Sequence, residues 1–60
     1  MNNLTTPQLM VRFNMAKERY YRGNGYTATY LAKIEMNEIQ ALLKKRGHHI
    51  KLKPNEQIKR

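Results

Sequence analysis

Between positions 19 and 26 the chain reads Arg19-Tyr20-Tyr21-Arg22-Gly23-Asn24-Gly25-Tyr26, and Tyr30 follows one helical turn later. Guanidinium groups donate to phosphate oxygens, tyrosine rings stack on bases, and glycine lets a backbone approach closely. Single-stranded nucleic acid asks for this combination, and stacking of about 1–3 kcal/mol per base would make one or two rings count. A structural role competes for the same side chains. Tyr20 falls on an apolar stripe and is expected in the core, whereas Tyr21 and Tyr26 fit either role. Further positive charge sits at Arg12, seven residues before Arg19 on the same helix flank, at Lys44-Lys45-Arg46, and at Lys51 and Lys53. The candidate nucleic-acid contacts are therefore Arg12, Arg19, Tyr21, Arg22, Tyr26, Lys44, Lys45, Arg46, Lys51 and Lys53. Three of them have a second reason to exist, because Lys44, Lys45 and Arg46 occupy a helix C-terminus, where cations complement the helix dipole.

Other chemistry finds little support. His48 and His49 are adjacent, so on an extended backbone they point to opposite sides and chelate poorly. The four carboxylates, Glu18, Glu35, Glu38 and Glu56, form no motif with a nucleophile. Gly23-Asn24-Gly25 lacks the later glycines or lysine of a nucleotide-binding loop. There is no cysteine, which removes disulfides and thiolate metal sites. No catalytic residue, metal or cofactor is expected.

Two segments of helical period must position these residues. In the first, Thr6 is the expected N-cap and Pro7 the first helical residue. Leu9, Phe13, Ala16 and Tyr20 then share one face, widened by Met10 and Tyr21, and Gly23 or Gly25 ends the helix. The second runs from Thr27 as N-cap to Arg46, with Gly47 as its stop. Its stripe is Ala28, Ala32, Ile39 and Leu43, flanked by Leu31, Met36 and Leu42. Glu35 projects near this stripe and needs an Arg or a Tyr hydroxyl, from the first helix or from a second chain. Tyr30, Ile34 and Ala41 form a second apolar strip on the opposite face, a candidate protein interface. A break at Asn37 would divide the segment into two helices and remove that strip. His48 to Lys53 alternates as a short strand would. The composition after Pro54 predicts disorder.

The expected architecture is all-α: two or three short helices in an antiparallel hairpin, with a basic extended C-terminal arm or a single short strand. Residues 1–53 would form one small helical domain and residues 54–60 a disordered basic tail. Sixty residues bury only roughly 60% of their unfolded surface. Chains of this size usually recruit a disulfide, a metal or a second subunit, and a homodimer is the reinforcement that remains.

Leu4-Thr5-Thr6-Pro7-Gln8-Leu9 resembles, over six residues, the opening of small excision-type regulators. That resemblance implies a helix-turn-helix followed by a wing. Gln40, Lys44 and Lys45 would then face the major groove, and Ile50-Lys51-Leu52 would belong to the wing. Ile34-Glu35-Met36, however, leaves almost no room for the turn and contains no glycine.

Twelve Lys and Arg against four Asp and Glu give a net charge of +8. Such an excess concentrates polyanions near the surface, and nucleic acid is the commonest of these. The function expected is non-catalytic binding of DNA or RNA. The competing expectation is a small inhibitor or adaptor, of the kind a phage encodes, docking on an acidic host protein. No membrane-spanning run or signal segment is evident, so a cytoplasmic protein is expected.

Overall fold

The computed structural model describes residues 4–23 and 25–58. Asn24 of the turn and the last two residues of the predicted tail lie outside them. The described chain is all-helical and contains no strand. Helix α1 spans Thr6–Arg22, helix α2 spans Tyr26–Lys45, and a 3-10 turn, η1, spans Pro54–Glu56.

Helix α1 begins one residue earlier than its sequence predicts, because Thr5 and not Thr6 is the N-cap. The Gln8 N–H donates to Thr5 Oγ1 at 3.3 Å and the Thr5 N–H donates back to Gln8 Oε1 at 2.9 Å. From Thr6 the third helical residue would be Leu9, which cannot return the bond, so the reciprocal capping box selects Thr5. Gly23 closes the helix in the left-handed conformation (φ 63°), its N–H donating to the Arg19 carbonyl. Helix α2 also starts early, with Gly25 rather than Thr27 as its N-cap, and Thr29 Oγ1 donates back to the Gly25 carbonyl at 2.9 Å. It ends in a Schellman pattern: His48 N–H to Leu43 O, Gly47 N–H to Lys44 O, with Gly47 at φ 84°.

Asn37 does not break α2. Its side chain donates to the Lys33 carbonyl one turn back, at 2.8 Å, so the helix runs through. With α2 continuous and no strand at residues 50–52, the turn and wing of an excision-type regulator are not formed among the described residues. Ile50 and Leu52 instead lie half-buried against the helices, where no neighbouring strand exists to pair with them.

The core is the interface between α1 and α2. Leu9, Phe13 and Ala16 of α1 meet Met36, Ile39 and Leu43 of α2, with Leu4, Tyr20, Leu42, Ile50 and Leu52 around the edge. Met36, expected on the flank, is fully buried, whereas Ala28 and Leu31 are exposed. The apolar stripe of α1 stops at Tyr20, and Tyr26, Ala28 and Tyr30 at the start of α2 stay exposed. Arg46, just past the end of α2, donates to Thr6 Oγ1 at the start of α1 (3.4 Å), which places the two helices antiparallel.

A chain of 60 residues at about 0.05–0.15 kcal/mol per residue has only a few kcal/mol of stability. Ile39→Ala, at a site with no exposure, is expected to cost about 2–5 kcal/mol. Urea titration followed by circular dichroism should therefore show a midpoint moved to much lower urea, with the m-value unchanged.

Candidate nucleic-acid interface

The tyrosines of the turn divide into two groups. Tyr20 and Tyr21 pack edge to face, ring centroids 5.1 Å apart at 83°. Both hydroxyls reach the C-terminal turn η1. Tyr20 donates to the Asn55 carbonyl at 2.7 Å, and Tyr21 donates to the Glu56 carboxylate. The carboxylate, only 1% exposed, also accepts the Lys53 N–H at 3.0 Å through its other oxygen. Asn37 completes the junction by donating to the Glu56 carbonyl (2.7 Å) and accepting the Ile58 N–H (3.2 Å). Among the described residues no buried side-chain polar atom lacks a partner.

Residues 54–58 are thus an ordered turn docked on both helices, where composition predicts a disordered tail. The physical reason is Glu56. Lys53-Pro54-Asn55-Glu56 places proline at the first position of the turn and a glutamate at the third. The glutamate folds back onto the Lys53 N–H as in a capping box. That signal is legible in the sequence. The distant donors, Tyr21 and Asn37, are not.

Burial raises the pKa of Glu56. The Tyr21 hydroxyl, the Lys53 N–H and the positive charges of Lys17 and Lys53 outweigh it, and the net value lies below the ordinary 4.5. Tyr21 is raised above its ordinary 10.0, first because its proton is held by Glu56.

The remaining candidates are spread over the molecule. Arg22 forms an ion pair with Glu18 at 2.7 Å, one turn apart on α1. Arg12 and Arg19 line an open cleft of about 590 Å³ with Leu4, Pro7, Val11, Met15 and the half-buried Glu35. Among the described residues no ion pair reaches Glu35, so the arginine it was expected to need is not supplied by them. Lys44, Lys45 and Arg46 are exposed at the far end of the hairpin, and Lys51 and Lys53 are exposed on the segment returning from it. A helix of 20 residues is about 30 Å long, so the basic residues at its end and the Arg19–Tyr26 turn do not form one patch. Of the second strip, Tyr30 and Ala41 are exposed and Ile34 is half-buried. Tyr26 is 88% exposed, the least covered of the large apolar side chains among the described residues. Asn37 and Glu56, which hold the tyrosine junction together, are the residues sequence reasoning did not assign to a site.

Among the described residues no three of His, Cys, Asp and Glu gather in a metal-binding arrangement, and no helix is long and apolar enough to cross a membrane. Comparison of the chain with family models, with curated proteins and with solved structures finds no match.

The Glu56 junction has a pH dependence of definite sign. A carboxyl whose folded pKa is depressed contributes stability above its unfolded value, near 4.5, and loses it as pH falls through the lower folded value. The protection of the Glu56 and Ile58 amides against hydrogen exchange, taken relative to their intrinsic rates at each pH, should be high at neutral pH and fall in that acid range. Tyr21→Phe removes the largest favourable contribution, so the loss of protection should begin at higher pH. An unchanged profile in Tyr21→Phe would show that the hydroxyl does not hold the turn.

Proposed function

We propose that the protein binds nucleic acid without catalysing a reaction, contacting phosphates through its exposed lysines and arginines. One observation carries this proposal: among the described residues the fold pairs almost none of its positive charge. Of ten described Lys and Arg, only Arg22 sits in an ion pair. Two of the four carboxylates are engaged internally, Glu18 with Arg22 and Glu56 beneath the C-terminal turn. Lys44, Lys45, Arg46, Lys51 and Lys53 are left as exposed cations, with Arg12 and Arg19 beside the cleft. Tyr26 supplies an accessible ring beside the turn, whereas Tyr21 is held by its hydroxyl and offers only part of its face. Neutralising phosphates releases condensed counterions, which makes such binding steeply dependent on salt.

A second contact is favoured by the cleft on α1. Val11 and Met15 are about half exposed there, beside Arg12, Arg19 and the unpaired Glu35. A surface carrying both a carboxylate and guanidinium groups around apolar side chains is self-complementary, as a two-fold interface requires. We infer that a second copy docks on it, Glu35 of each chain meeting the arginines of the other. An acidic host protein is the other occupant this chemistry would accept. Val11→Asp should convert a sedimenting dimer to monomer without unfolding it. A monomeric parent protein would contradict the homodimer.

For the principal function, binding to a labelled single-stranded oligonucleotide should be measured between about 50 and 200 mM salt. About five phosphate contacts give a log–log slope near −3.5 and roughly a hundredfold loss across that range. Lys44→Ala with Lys45→Ala should make the slope shallower by about 1.4. Salt-insensitive binding, or none at low salt, would contradict the proposal.

A further inference from the structure

The five aromatic side chains sort by what covers them. Phe13 is in the core, Tyr20 is half-buried with its hydroxyl on Asn55, and Tyr21 is tied to Glu56. Tyr26 and Tyr30 are different. They are 88% and 51% exposed. Tyr21 is as open, at 52%, but is held by its hydroxyl and by the Tyr20 ring. Among the described residues neither hydroxyl of Tyr26 and Tyr30 makes a hydrogen bond and neither ring pairs with another. Among the described residues no hydrogen bond or ring pairing accounts for two large rings facing water on so small a protein.

They are also placed together. Four residues apart on α2, they lie on one face, separated by about 6 Å along the axis and about 40° around it. Lys33, three residues beyond Tyr30 and seven beyond Tyr26, continues the same face and is half-buried. Stacked bases repeat every 3.4 Å or so along a strand. Rings about 6 Å apart therefore do not match two neighbouring stacked bases. They suit bases drawn apart, one on each ring, or one base slotted between them. In a duplex the base faces are covered by their neighbours, so only an unstacked strand can offer them.

We propose that Tyr26 and Tyr30 form a two-ring platform for the unstacked bases of a single-stranded nucleic acid, with Lys33 neutralising an adjoining phosphate. The platform rests on the nucleic-acid function proposed above and assigns it a substrate class, single strand over duplex. It shares a face of α2 with Asn37, seven residues beyond Tyr30, but among the described residues neither ring takes part in a hydrogen bond of the Tyr21–Glu56 junction, so those bonds do not depend on the two rings.

The test is fluorescence anisotropy with a labelled oligothymidylate, alone and annealed to its complement, at ~50 mM salt. The parent protein should prefer the single strand. Tyr26→Ala with Tyr30→Ala should weaken single-strand binding roughly 10- to 100-fold, with an unchanged thermal melt. Tyr26→Phe with Tyr30→Phe, which keeps both rings, should bind as the parent does. If the alanine variant binds like the parent, or the duplex binds as tightly as the single strand, the platform is wrong while salt-dependent phosphate binding stands. If the parent binds neither oligonucleotide, the nucleic-acid function itself is overturned.

Discussion

A carboxylate removed from water is tolerated only where donors surround it, and the donors around Glu56 come from three parts of the chain. Tyr21 of α1 and the Lys53 N–H bond the carboxylate itself. Asn37 of α2 bonds the Glu56 carbonyl, and Tyr20 fixes the neighbouring Asn55. This junction ties the C-terminal residues to both helices at once. Ile50 and Leu52, between the end of α2 and the junction, are thereby held against a core that two helices alone would leave open along one side. In a chain without disulfides, and without a metal-binding cluster among its described residues, this polar cross-link takes the place of either.

The same junction shapes the surface. Glu56 is withdrawn from the exterior and Glu18 is taken by Arg22, which leaves Glu35 and Glu38 as the other carboxylates among ten described cations. Tyr20 and Tyr21 are drawn toward the C-terminal turn, whereas Tyr26 and Tyr30, on α2, remain outward. One cluster in the sequence therefore becomes two different things in three dimensions: a latch on α1 and an exposed aromatic face on α2. The basic residues at the far end of the hairpin belong to neither and add phosphate contacts without forming a shaped site.

The helices and their buried faces were readable in the sequence because helical period is local. Leu9, Phe13 and Ala16, and Ala32, Ile39 and Leu43, lie where their spacing predicts. Boundaries were missed where a reciprocal side-chain bond decided them, as Gln8 does for Thr5. The continuity of α2 through Asn37 was undetermined, since asparagine caps a helix as readily as it bonds back to the preceding turn. The C-terminal turn was hidden for a different reason. Its composition is that of a disordered tail, and its order comes from Tyr20, Tyr21 and Asn37, donors 19 to 35 residues away in sequence. Of the candidate interface, the charge was legible and its division between two ends was not, because that division follows from the antiparallel pairing of α1 and α2.

The central claim is that the exposed face of α2, and not the latch on α1, meets nucleic acid. Chemical-shift mapping of isotopically labelled protein titrated with a single-stranded oligonucleotide tests it most directly. The largest shifts are expected at Tyr26, Tyr30 and Lys33, with Tyr21 and Glu56 unmoved. Shifts centred on Val11, Met15 and Glu35 or on the C-terminal turn, or no shifts at low salt, would contradict it.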